Sequence, residues 1–187
     1  VRQDGQRYAG RLHEVFVGIM SLCADASVGQ AHALKCELAG EVLRSFGSLR
    51  FMATGWSMLP SVWPGDTLVM ERVNPDRVRV GDVILVGRDG RLCAHRVVSV
   101  AEGCGSPRWI TQGDANSTPD QPVCEGEMLG RVAFVVRAGK LIAVPAELSV
   151  VDRLIAKIVR RSKTAARSLV YLHCAVETPK ESLPCRG

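Results

Sequence analysis

Asp82-Val83-Ile84-Leu85-Val86 and Leu92-Cys93-Ala94-His95-Arg96-Val97-Val98-Ser99-Val100 are two runs rich in β-branched residues, and Arg88-Asp89-Gly90 lies between them. Asp-Gly between two such runs is a hairpin signal, because the central residues of a tight turn need positive φ. The stretch therefore predicts two antiparallel neighbours, and the pattern repeats on either side of it. Upstream lie Phe51–Thr54 and Thr67–Arg72; downstream lie Trp109–Gln112, Met128–Arg137 and Leu141–Val144. Trp63-Pro64-Gly65-Asp66, Asn74-Pro75-Asp76 and Ala138-Gly139-Lys140 supply turns between the runs. Residues 49–145 thus read as a compact antiparallel β domain.

Helical patterns flank it. Leu34, Leu38, Val42 and Phe46 recur every four residues, and Gly47 follows as a C-terminal cap. Residues 1–28 are weakly helical, with Leu12, Phe16, Ile19 and Cys23 on one face. Ser149 to His173 reads as a single helix opened by the capping pattern Ser149-Val150-Val151-Asp152. Its apolar stripe follows Leu148, Val151, Ile155, Ile158, Ala165, Leu169 and Leu172, broken only at Ser162. Arg153, Lys157, Arg160, Arg161, Lys163 and Arg167 give it a basic side. The expected organisation is a helical segment over 1–48, the β domain over 49–145, a basic amphipathic helix over 146–176 and a disordered tail over 177–187. The chain is mainly β.

With 187 residues, 47% hydrophobic and 23% charged, the composition is that of a folded domain with appendages. The net charge of +5 sits in the tail: residues 1–149 hold sixteen basic and sixteen acidic side chains, residues 150–187 eight and three. Basicity therefore says little about what the β domain binds. Seven cysteines without regular spacing argue against a disulfide framework and for a reducing compartment. No run approaches the ~20 apolar residues that span a bilayer. Val15 to Cys23 is the best candidate and is short, and no signal peptide is evident. A cytoplasmic or peripheral membrane location is expected.

Chemistry enters at Thr54-Gly55-Trp56-Ser57-Met58-Leu59-Pro60. A serine on a Gly- and Pro-flanked bend suits a nucleophile, but a hydroxyl at neutral pH needs a base within hydrogen-bond reach. Lysine is one option, yet none occurs between Leu49 and Gly139, and arginine stays protonated. The β domain's single histidine is His95, and imidazole titrates near neutral pH. Asp114 and Asp120, in Gly113-Asp114-Ala115-Asn116-Ser117-Thr118-Pro119-Asp120, are the carboxylates able to orient its ring. Spacing does not decide between them: one orients His95 while the other secures the loop.

Gly55-x-Ser57-Met58-x-Pro60, Pro64-Gly65-Asp66, Gly81-Asp82-Val83, His95-Arg96-Val97, Gly113-Asp114 and Asp120, in that order, resemble the signal peptidase I superfamily. The likeness covers about residues 50–140 and is to its serine–histidine branch, found in the endoplasmic reticulum, archaea and spore-forming bacteria. The resemblance implies a mostly β catalytic fold of the signal peptidase and self-cleaving repressor type, with endopeptidase chemistry on an extended peptide. It also implies Ser57 as nucleophile, His95 as general base, and Asp114 and Asp120 as acidic partners; no cofactor is expected. Substrate would add as a strand to an exposed edge, with small side chains beside the cut in shallow pockets. Gly55 and Met58 are the expected substrate-binding residues, Met58 either shaping such a pocket or belonging to the core. Two departures stand out: no membrane anchor precedes the nucleophile in residues 24–56, and Gly55 occupies the position where many members carry a hydroxyl. The oxyanion would then rest on backbone N–H groups, including that of Ser57, with Thr54 a lesser contributor.

Other readings compete. Cys93, His95, Cys104 and Cys124 offer four zinc ligands, but no pair has the CxxC form that structural sites favour, so no metal is expected. The basic helix can pack on the β domain, lie on a membrane surface through residues 148–172, or contact nucleic acid. Tyr171 is its only aromatic residue, so no specific nucleic acid is expected. The rival for the whole chain is a catalytically inactive peptide-binding module of the same fold, which a serine-directed fluorophosphonate would leave unlabelled.

Overall fold

The computed structural model describes residues 28–102 and 107–177. The weak helix expected over residues 1–28 lies outside them except for Val28, as does the tail from 178 onward.

Helix α1 spans Val28–Phe46 and ends where expected: Gly47 takes φ +73° and its N–H donates to the Leu43 carbonyl at 3.0 Å. Its buried seam differs from the sequence expectation. Ala39, Gly40 and Leu43 are buried, whereas Phe46 is 65% exposed. Small residues decide this, because they let the helix approach the sheet closely. A Cβ on Gly87 would lie 3.1 Å from Leu129 Cδ1 and 3.5 Å from Cys36 Cβ, so helix and strands meet over that glycine.

Seven strands form one antiparallel sheet: β1 Ser48–Met52, β2 Thr67–Glu71, β3 Val83–Arg88, β4 Arg91–Glu102, β5 Pro107–Gln112, β6 Met128–Arg137 and β7 Lys140–Ile142. Their order is β1-β2-β6-β3-β4-β5, with β7 paired to β6. Both expected hairpins close through two residues at positive φ, Asp89 (51°) and Gly90 (72°), then Ala138 (46°) and Gly139 (75°). The Trp63–Asp66 turn also forms, with Gly65 at φ +94° and the Asp66 N–H donating to the Trp63 carbonyl.

The sheet separates two cores. Leu68, Met70, Leu85 and Val135 pack with Leu43, Met58 and Val62 on one face. Ile84, Val86, Val97, Trp109 and Val123 pack on the other. Alternation along β4 follows from the pleat: Leu92 and Ala94 pack on the first core, Val97 in the second.

The expected single helix after Ser149 is corrected to two, α2 Val150–Arg161 and α3 Lys163–Glu177. Ser149 caps α2 as expected, its Oγ accepting from the Asp152 N–H at 3.1 Å. Ser162 ends it, because its backbone is extended (φ −142°, ψ 113°) and its Oγ accepts from the Ala165 N–H at 3.2 Å. A serine that caps the following helix breaks the stripe. The pair packs Val159 and Ala166 against Leu59, Trp63 and Ala115, so it braces the turn that carries Ser57.

Candidate active site

The Ser57 turn is held from both ends. At the far end Asp66, 4% exposed, accepts from the Trp63 N–H at 2.7 Å and from Arg137 Nη2 at 2.7 Å. Arg137 Nη2 also donates to the Ser61 carbonyl at 3.2 Å. At the near end the Ala53 N–H donates to the Asp66 carbonyl at 2.8 Å, and Gly65 donates back to Ala53 at 2.8 Å. Trp63 stacks on His173 of α3 at 3.8 Å between ring centroids. The serine is therefore presented by a cross-braced loop, not by the sheet itself.

His95 lies on β4, buried, with its ring on the second-core side. Its Nε2 is 2.9 Å from Ser57 Oγ, and its Nδ1 is 2.6 Å from Asp120 Oδ2. A carboxylate only accepts, so Nδ1 carries the hydrogen; the lone pair of the neutral ring is then at Nε2, and the Ser57 hydroxyl donates to it. Asp120 is fixed in turn: Oδ2 accepts from Thr111 Oγ1 at 2.8 Å, and the Asp120 N–H donates to the Thr111 carbonyl at 2.7 Å. Thr111 is 2% exposed on β5, which neighbours β4. Hydroxyl, imidazole and carboxylate thus form one continuous hydrogen-bonded line.

Asp114 does not join that line: of the two carboxylates that spacing left open, Asp120 meets the ring and Asp114 holds its loop to Arg96. Its Oδ1 accepts from Arg96 Nε at 2.8 Å and its Oδ2 from Arg96 Nη2 at 2.9 Å and from the Ser61 hydroxyl. Arg96 follows His95 in β4, so the pleat sends it to the opposite face. Its Nη1 reaches the carbonyls of Gly81 at 2.8 Å and Pro145 at 2.6 Å. One guanidinium therefore ties together the turn before β3, the segment leading to α2 and the Asp114 loop. Gly113 lets that loop touch Ser57: a Cβ there would lie 2.6 Å from the Ser57 carbonyl oxygen and 2.9 Å from Ser57 Cβ. The Ala115 N–H donates to the same carbonyl at 2.8 Å.

Met58 is 5% exposed and packs in the first core, the second of its two readings. Gly55 is exposed beside Ser57; a Cβ built on it would be 4.0 Å from Ser57 Oγ. Among the described residues no acceptor meets the Ser57 N–H. Thr54 is exposed.

Sequence reasoning passed over two contributors, Arg96 and Thr111, and weighed Cys93 only as a candidate zinc ligand. Cys93 Sγ stands 3.2 Å from His95 Nε2. The available signal was alternation, since Cys93 and His95 are two apart on a strand and must share a face. Burial, and secondarily the Asp120 charge, push the Cys93 thiol up to about 11. It is therefore a thiol at neutral pH and a poor rival to Ser57 for the base. Among the described residues no three His, Cys, Asp or Glu side chains gather as a metal site would require. No protein-family model matches this chain, and no curated protein sequence does either.

Proposed function

We propose that this chain is a serine endopeptidase similar to the serine–histidine branch of the signal peptidase I superfamily, acting on extended peptides. The carrying observation is the pair of contacts on one ring, 2.9 Å to Ser57 Oγ and 2.6 Å to Asp120 Oδ2. Ser57 Oγ attacks the scissile carbonyl as His95 Nε2 takes its proton. The same nitrogen then protonates the leaving amine, and water hydrolyses the acyl-enzyme by the reverse relay. Asp120 keeps Nδ1 protonated and stabilises the imidazolium. The Ser57 N–H is the donor left for the developing oxyanion, and Gly55 keeps that approach open. Ser57→Ala and His95→Ala each lower peptide turnover by ~10³ or more, because a relay acts as a unit. Wild-type turnover in either variant refutes the assignment.

The same reading includes a membrane-surface partner for residues 148–172. Val150, Val151, Leu154 and Ile158 of α2 remain exposed, with Arg153, Lys157, Arg160 and Arg161 on the same short helix. Apolar side chains among basic ones favour an anionic lipid surface. No helix of the described residues is long and apolar enough to cross a membrane. The protein is expected to sediment with anionic vesicles at low salt, and its remaining in the supernatant sinks this contact.

A further inference from the structure

A cavity of about 380 Å³ opens against His95, Asp120 and Thr111 and extends beyond them along β4. Arg91, Cys93 and His95, alternate residues of β4, lie along it, and Val86 and Arg88 stand opposite on β3. The segment Pro119–Val123 makes its other wall. The cavity is a trough leading from the base to the Asp89-Gly90 hairpin. Four residues of strand separate its ends, about 13 Å at 3.3 Å per residue.

Which part of a substrate enters it follows from the chemistry. His95 Nε2 gives its proton to the amine of the residue after the cut. The departing side of the peptide therefore leaves past the imidazole, and this cavity, walled in part by that ring, runs on from it toward Arg91. Its middle is apolar, lined by Val86, Val123 and Pro119. Charge is concentrated at its far end. Arg88 is already neutralised: its Nε and Nη2 hold Glu127 at 2.6 and 2.7 Å, and its Nη2 also reaches the Pro122 carbonyl at 2.7 Å. That pair holds the Glu127 carboxyl down at about 2, with the Arg88 hydrogen bond as the main cause. Asp120 is engaged by His95 and Thr111. Arg91 is exposed, and among the described residues no carboxylate pairs with it.

We infer that the trough binds the departing side of the substrate, and that Arg91 selects a carboxylate about four residues beyond the cut. This rests on the endopeptidase reading above. A strand-like peptide covers the trough in about four residues, which brings a side-chain carboxylate, or the carboxylate of a chain ending there, to the free guanidinium. Because Arg91 is exposed, the preference is modest and shrinks with salt.

The test is a set of quenched fluorescent peptides sharing one cleavable sequence, with Glu, Gln or Lys at each of positions two to six after the cut and an amidated end. A further arm ends in a free carboxylate at those positions. The wild type is expected to favour a carboxylate near the fourth position by about 3–10-fold in kcat/KM, and Arg91→Glu to shift the preference to Lys. The Glu and free-end arms identify which source of carboxylate is used. Charge-blind cleavage, or a preference that Arg91→Glu leaves intact, overturns the inference while fluorophosphonate labelling of Ser57 in the wild type preserves the protease reading. A wild type that neither labels nor cleaves overturns both.

Discussion

His95 and Arg96 are neighbours on β4, each holds an aspartate, and the two faces of the strand set those pairs in different surroundings. Arg96 and Asp114 are 8% and 3% exposed, and both carboxylate oxygens are engaged by the guanidinium. Asp120 is 32% exposed and shares one oxygen between His95 and Thr111. A charge pair sealed from water is a fixed strut, since losing one member strands the other. The His95 pair instead borders a cavity, with its carboxylate open to it. Solvent access and the permanence of the cation distinguish strut from relay; the carboxylate is the same group in both.

The largest contrast expected is between the two aspartates. Asp120→Asn keeps the shape but lets an amide donor face Nδ1, which favours the wrong tautomer; turnover falls by about 10³–10⁴ with the melting temperature nearly unchanged. An equal loss of stability would erase the distinction between the faces. Asp114→Ala does the reverse, costing about 3–5 kcal/mol in urea unfolding because Arg96 is left buried and unpaired. A variant as stable as the wild type would show that the strut carries no weight.

Gly113→Ala probes where the faces meet. The added methyl would fall within 3 Å of the Ser57 backbone, so the nucleophile must shift, and displacements of that size cost about 10² in turnover. Unchanged kcat would mean that the Gly113 loop does not set the position of Ser57.

Much of this was legible in the residues, and the failures have physical reasons. Asp-Gly and Ala-Gly turns announced both hairpins, and the run Met128–Arg137 emerges as β6 with the expected ends. Ser57 and His95 could be paired because no lysine and no second histidine competed within the β domain. The choice between Asp114 and Asp120 was closed to spacing, since it depends on which face of β4 each loop reaches. Arg96 was not legible as the partner of Asp114: alternation sends it away from His95, but which loop carboxylate meets it there depends on the fold. The seam of α1 moved because Ala39 and Gly40 allow close packing that a leucine-based pattern overlooks. Ser162 was visible as a break in the apolar stripe, but only its extended backbone and capping bond turn that break into the boundary between α2 and α3.

Mass-spectrometric mapping of the adduct formed by a fluorophosphonate tests the relay most directly, read on the wild type and on His95→Ala. One adduct per chain at Ser57 is expected in the wild type, with its formation slowed by orders of magnitude when the imidazole is absent. An unlabelled wild type, an adduct carried by another residue, or equal labelling rates in the two proteins would contradict it.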